Sequence, residues 1–380
     1  VLKWSEVTVV VALTLLLART ERYVRLIVWA LIVAGIAEAL LGCAQWALSA
    51  GAAGPGGSGI RVFGTFSQPN PYGGYLNFAL PLALALTLFG RDARERWVAG
   101  GASVVLLMAQ AFADSRGAEL GLAAALVVIV VVGLRYERLA GLIALIGAPV
   151  VAIAWFVHLI PQRIETALLD QARVNGTTLS CAPNSGVNDA NFSTVERLAH
   201  WVAGIRMFLA HPLLGVGAGN YNAAYAHYTI PCWPEPLGHA HNYYINAAAE
   251  TGLLGLLTFL ALMGASLYLG WRATHTSAAF PASPTRFSFG DLSLARLVTT
   301  LAERASANTT GRALALGLFA VLVALSVHNL TDDLFVHAME LQFALCLGCL
   351  VRLAKPQNTT ATASGTAPST VAEAGIRASA

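Results

Sequence analysis

The sequence predicts an all-α polytopic membrane protein of about nine transmembrane helices with one large extracytoplasmic loop. Two observations carry this. Of the 380 residues, 56% are hydrophobic and only 11% are charged, with a mean hydropathy of +0.63; a soluble domain carries about 25% charged residues. The apolar residues also gather into runs close to the ~20 residues that a helix needs to cross a bilayer. The lipid bilayer is therefore an expected partner. A formal net charge of +3 is too small to imply nucleic acid, so none is expected.

The spans follow in order. A short run, Val7–Ala18, is separated from Leu26–Leu48 by Arg19, Arg22 and Arg25. A turn-rich segment leads to Tyr72–Phe89; Arg91, Arg94 and Arg96 separate it from Trp97–Ala113. The tight turn Asp114-Ser115-Arg116-Gly117 leads to Ala118–Leu134, and Arg135 and Arg138 precede Leu139–Val157. A long polar stretch then runs to Asn242–Leu269, followed by Ala313–Val327 and His337–Val351. Six spans thus fall in residues 1–157, the large loop in 158–241, and three spans in 242–352 around a polar connection at 270–312. The tail 353–380, rich in Ala, Ser, Thr and Pro, reads as disordered. Sixteen of the 23 basic residues lie on one set of connections. The excess of Arg and Lys marks that side as cytoplasmic. The loops 49–71, 114–117, 158–241 and 328–336 are then extracytoplasmic, with the tail inside. The chain starts without Met inside an apolar run, which reads as an N-terminally trimmed piece.

Arginines on the outer side run against the charge bias, so they are informative. Arg116 sits at the membrane surface, either as an anion clamp, as a snorkelling side chain or as a partner to Asp114. Arg197 and Arg206 lie in Glu196–His211, a helical segment whose Leu198, Trp201, Val202, Ile205, Phe208 and Leu209 form an apolar stripe suited to resting on the membrane core. Pro212 ends it, and Gly215, Gly217 and Gly219 follow, where backbone could approach a sugar or phosphate. Arg61 opens an outer loop with Phe63, Phe66 and Asn70, suited to sugar contacts or to an interfacial aromatic belt. Asn242, Asn246 and Glu250 recur at i, i+4, i+8 on the seventh span, as interhelical hydrogen bonders or as the lining of a wet cavity. Asp332 and Asp333, near His328 and His337, form a further outer cluster that either orders a site or binds cations.

His239 and His241 form an HxH at the mouth of the seventh span. On a strand the two would point the same way and suit zinc, but no third or fourth ligand has a fitting spacing, so no metal is expected. Of the five cysteines, Cys346 and Cys349 fall inside an apolar run, which implies packing rather than redox chemistry. Cys181 and Cys232 share the outer loop, where an oxidising compartment would permit a disulfide.

These pieces resemble the O-antigen ligase family, whose superfamily includes Wzy-type O-antigen polymerases and O-linking protein oligosaccharyltransferases. The family pattern is His, then Asn, Ser or Gln, nine residues, Gly, two residues, Gly. Here His241-Asn242 is followed by Tyr243 to Thr251, Gly252, two leucines and Gly255. Gly64-Thr65-Phe66 with Pro69-Asn70, the Ser115-Arg116-Gly117 turn, and Arg197 with Trp201 before Pro212, Gly215 and Gly217 also match. The resemblance implies an inverting glycosyltransferase without cofactor or metal. It would use an undecaprenyl-diphosphate-linked glycan and a glycan, lipid or protein acceptor, on the outer face of the cytoplasmic membrane. It implies His241 as general base and Arg116 and Arg197, with Arg206 as a less certain third, on the diphosphate. Family ligases usually have twelve spans, so three would precede this chain. A secondary transporter or flippase is the competing reading, although such proteins tend to show two repeated halves and none is visible. A nonenzymatic anchoring protein is another.

Overall fold

The computed structural model describes residues 2–53, 59–134, 192–230, 233–276 and 310–354. Backbone groups in hydrocarbon must find partners within their own segment, so the apolar runs fold as helices. They are Leu2–Leu17 (α1), Glu21–Ala47 (α2), Pro69–Phe89 (α3), Ala93–Ala113 (α4), Arg116–Gly133 (α5), Tyr243–Thr276 (α8), Thr310–His328 (α9) and Met339–Leu353 (α10). Two further helices, Phe192–Ala210 (α6) and Tyr221–Tyr228 (α7), lie in the long polar region. A two-residue antiparallel ribbon, Ala52–Ala53 (β1) with Ile60–Arg61 (β2), closes the turn-rich segment after α2.

Every expected span except Leu139–Val157, which lies outside the described residues, has a helix at its place. Six helices among the described residues are long and apolar enough to cross a membrane: α2, α3, α4, α5, α8 and α9. The 16-residue α1 and 15-residue α10 are shorter than a ~20-residue crossing. Residues 158–191 of the large loop, most of the 270–312 connection and the tail from 355 onward lie outside the described residues.

Helices α3 and α9 form the centre of the bundle and are its most buried spans. Helix α9 packs on α5, α3 and α8, while α1 packs along α10. At the end of the bundle that holds the α1–α2 and α3–α4 connections, Asp92 caps α4 by accepting the Glu95 N–H at 2.9 Å. The Glu95 carboxylate pairs with Arg25 of α2. Arg312, buried at the start of α9, donates to the carbonyls of Val132 and Gly133 at the end of α5 and of Thr274 at the end of α8. One guanidinium thereby satisfies the last carbonyls of two helices, where a cation is also favoured by the helix dipoles. Helix α8 leaves Leu253, Leu254, Leu257, Leu260, Tyr268 and Trp271 exposed, the surface that lipid covers.

The other end carries most of the departures from expectation. Helix α8 is two helices joined at Gly252, whose φ of 64° and ψ of −162° are non-helical. The turn after α6 packs backbone to backbone against this joint. Leu253 N–H donates to Pro212 O at 2.8 Å, Val216 N–H to Ala249 O at 2.9 Å, and Gly217 N–H to Glu250 O at 3.0 Å. A Cβ on Gly252 would lie 2.3 Å from the Leu213 carbonyl carbon, and one on Gly215 equally close to that of Glu250. Gly215 therefore serves approach to a helix, where the sequence suggested approach to a ligand, while a Cβ on Gly219 would meet nothing within 4 Å.

The polar stripe of the seventh span is spent in the same way. Asn242 Oδ1 caps the first turn of α8, accepting from Tyr244 N–H at 3.0 Å and Ile245 N–H at 3.1 Å. Asn246 Oδ1 accepts from Ala240 N–H. Glu250 accepts from Gly219 and Tyr221 N–H groups and so caps α7. Helix α6 is present, but it buries Val195, Ala199, His200, Ala203, Gly204 and Met207, not the expected large stripe. Small residues permit its close packing on α8, while Ile205 and Leu209 stay exposed and continue through Leu213 and Leu214 toward the lipid-facing leucines of α8.

Candidate active site

His241 lies between α6 and α8, immediately before the Asn242 cap, and four contacts hold it. Its backbone is left-handed at φ 49°, a conformation uncommon for a non-glycine residue and concentrated at functional sites. Its N–H donates to His239 Nδ1 at 3.0 Å, and its carbonyl accepts from Trp201 Nε1 at 3.2 Å. Its Nδ1 lies 3.4 Å from Asp332 Oδ1. The His200 ring stands edge-on, 5.5 Å away between centroids. Because a carboxylate only accepts, Asp332 selects the tautomer with hydrogen on Nδ1 and leaves a lone pair on Nε2. That Nε2 is buried and has no hydrogen-bond partner among the described residues.

Asp332 belongs to the turn after α9, which is folded on itself: its N–H donates to His328 O, and its Oδ1 also accepts the Asp333 N–H. Burial opposes ionisation of Asp332, but the hydrogen bond and charge of His241, with the charges of His328 and His239, outweigh it and hold its carboxyl well below the usual range. Burial pushes His239 down to about 4, aided by the charges of His241 and Arg197 and opposed by Asp332. His200 is likewise pushed down to about 4, first by burial and then by His241 and His239. Asp333, whose Oδ1 takes the Phe335 N–H, is raised to about 6 by burial.

The arginines expected on the outer side divide by what they touch. Arg61 donates to the carbonyls of Ala113 and Asp114 and to Asn70 Oδ1, so Arg61 and Asn70 support the end of α4. Burial lowers the Arg61 pKa, opposed by the charge of Asp114, and Arg197 and Arg116 both lower it further; both guanidinium groups thus stand within electrostatic reach of Arg61. Arg116 is exposed at the start of α5 and forms no ion pair with Asp114 among the described residues. Arg197 is half-buried, and its Nε has no partner among the described residues. Arg206 donates instead to the carbonyls of Tyr228 and Thr229 at 3.2 and 3.1 Å. It caps the end of α7, which is a structural use of the residue expected as a third diphosphate ligand.

Other expectations resolve locally. Phe66 is buried against Tyr72, Tyr75 and His337, and is neither a sugar platform nor part of an exposed belt. Cys346 and Cys349 are buried and free in α10, as packing requires. Cys181 and Cys232 lie outside the described residues. The HxH pair does have a third potential ligand, because His239, His241 and Asp332 each offer one ligand atom within 4.8 Å of the others. Sequence spacing missed it because 91 residues separate His241 from Asp332. His200 also escaped notice; its only signal was a histidine on the small-residue face of an amphipathic helix.

The chain matches the family model described as O-antigen ligase (Wzy_C) over residues 101–260. That segment contains Arg116, Arg197 and the His241-Asn242 motif with Gly252 and Gly255. No curated protein matches the chain.

Proposed function

We propose that this chain is an O-antigen ligase-type enzyme that transfers a glycan from an undecaprenyl-diphosphate donor to an acceptor hydroxyl, on the extracytoplasmic side of the membrane. The observation that carries the reading is the unpartnered Nε2 of His241, backed by Asp332 and set in a region of arginines. The acceptor oxygen attacks the anomeric carbon while His241 Nε2 takes its proton. The bond from that carbon to the diphosphate oxygen breaks, and the electron pair leaves with the lipid diphosphate. Attack opposite the leaving group inverts the anomeric centre. Asp332 fixes the His241 tautomer and stabilises the imidazolium that forms, the role of the carboxylate in other carboxylate–histidine pairs. Arg116 and Arg197 meet the diphosphate, whose growing charge suits paired guanidinium N–H donors. Arg61, Asn242 and Glu250 support the site through the backbone groups they satisfy, and Asn70 by accepting from the Arg61 guanidinium. A diphosphate already leaves readily, so the transfer calls for no metal.

The same donor chemistry serves a polymerase or a protein-glycosylating enzyme, which differ in the acceptor. The test is to supply a lipid-linked glycan to the purified protein with saccharide, lipid and peptide acceptors, and to measure release of lipid diphosphate. Acceptor-dependent release supports the reading and identifies the acceptor class. Glycan-lipid moved across a bilayer without cleavage would replace it with transport.

A further inference from the structure

We propose that His239, His241 and Asp332 also form a binding site for a divalent transition cation of the zinc type, and that occupancy of this site switches the transferase off. The second half rests on the proposed role of His241; the binding half does not. The three residues come from two segments brought together by α8 and α9, and their ligand atoms lie within 4.8 Å of one another. The left-handed backbone at His241 folds its ring back onto His239, with centroids 4.4 Å apart. This gives the two imidazoles of an HxH a convergence that an extended strand would otherwise supply. Two imidazoles with one carboxylate match the borderline character of zinc, cobalt and nickel, and three protein ligands leave a coordination position open. Asp332 supplies the negative charge. Calcium and magnesium prefer oxygen ligands, and the nearby charge of Arg197, which reaches His239, further disfavours cations held by charge alone.

A cation here and catalysis compete for the same atoms. Coordination by His239 Nδ1 displaces the His241 N–H that now donates to it. Coordination by either His241 nitrogen removes the lone pair on Nε2 or the Asp332 contact that orients it. Metal at this place is therefore an inhibitor of the transfer rather than its cofactor.

The test uses the full chain in detergent micelles. Co2+ is titrated while its visible absorption is followed, Zn2+ and Mg2+ are added as competitors, and glycan transfer is measured with and without Zn2+ and then with chelator. Wild-type protein is expected to bind one Co2+ that Zn2+ displaces and Mg2+ does not. His239→Gln and Asp332→Asn should each weaken binding about 10-fold or more, whereas His227→Gln, at the exposed end of α7, should leave it unchanged. Zn2+ should suppress wild-type transfer, with recovery on chelation, and His239→Gln should resist Zn2+ relative to its own metal-free rate. Thermal melting checks that each variant is folded; if Asp332→Asn is not, His239→Gln and His241→Gln carry the comparison. Absence of a Co2+ signal, or a signal undiminished in the site variants, overturns the site. Binding without inhibition overturns the switch and counts against His241 as the base, while leaving the site itself standing.

Discussion

At the scale of single residues, His241 is held by contacts to its main chain and Nδ1, while Nε2, the atom proposed to take the proton, is left open. Its main chain is tied to His239 and Trp201, its Nδ1 faces Asp332, and Nε2 alone has no partner among the described residues. His241→Ala is expected to leave the protein folded and able to bind donor while transfer falls by about 10²–10⁴-fold, the usual weight of a positioned base. His239→Ala should be milder, since it removes only a hydrogen bond to the His241 backbone. Near-normal glycan release by the His241→Ala protein in the lipid-diphosphate assay would falsify the mechanism. Arg116→Ala and Arg197→Ala should each lower donor-dependent kcat/KM by about 10²-fold or more, as loss of one preorganised charge contact does. Lysine should rescue poorly if the contact is bidentate, and unchanged donor kinetics in either variant would remove that arginine from the site. The sequence offered His241 as a candidate because its motif is linear, and Arg116 and Arg197 because they oppose the charge bias. Asp332 was visible as an acidic residue that either orders a site or binds cations, but its pairing with His241 was not, because nothing local couples it to a histidine 91 positions away.

At the scale of elements, the sequence placed the helices well and misread what their polar residues and glycines do. Periodicity reports that Asn242, Asn246 and Glu250 share a face, but it does not reveal that the face meets chain ends needing acceptors. Likewise the large apolar stripe of α6 reads as the buried one, although the small-residue face makes the closer contact with α8. The joint at Gly252 follows the same logic. The short first half of α8 holds the loop that carries His241, while the second half runs on as the span. A φ of 64° with ψ of −162° lies in a region that is essentially restricted to glycine, and a side chain there costs on the order of 1–3 kcal/mol. An added Cβ would also meet the Leu213 carbonyl. Gly252→Ala should therefore lower the melting temperature and depress transfer by displacing His241, even though it touches neither substrate nor base. A variant with wild-type melting and turnover would show that the joint is not what positions the loop.

At the scale of the whole molecule, composition pointed to a membrane protein, and the charge bias supplies only an expectation of its sides; α1 and α10 fall short of a full crossing because their apolar runs are short. What composition could not show is that the end carrying His241 gathers buried titratable groups, which makes stability depend on pH. His200 and His239 are both pushed down to about 4, from an ordinary value near 6.5. The folded state therefore refuses protons that the unfolded chain accepts. The stability these two histidines support is complete above about pH 6.5 and is lost as pH falls toward 4. Asp333, raised to about 6, works the other way: its contribution is complete below its unfolded value near 3.9 and is lost as pH rises through 6. Asp332 is held low, so its support is lost only below that same unfolded value, beneath the window in which the histidines act. Between about pH 6 and 4, two groups thus destabilise on acidification and one stabilises. Each of these groups contributes at most about 1.4 kcal/mol per pH unit, the weight of a single proton. Scanning fluorimetry of the protein in micelles should show the melting temperature falling from pH 6.5 to pH 4.5. His239→Gln should flatten that fall and Asp333→Asn should steepen it, because each removes one side of the balance. A melting temperature that rises on acidification, or slopes that move in the opposite sense in these two variants, would mean that the buried groups at the end carrying His241 do not govern the balance.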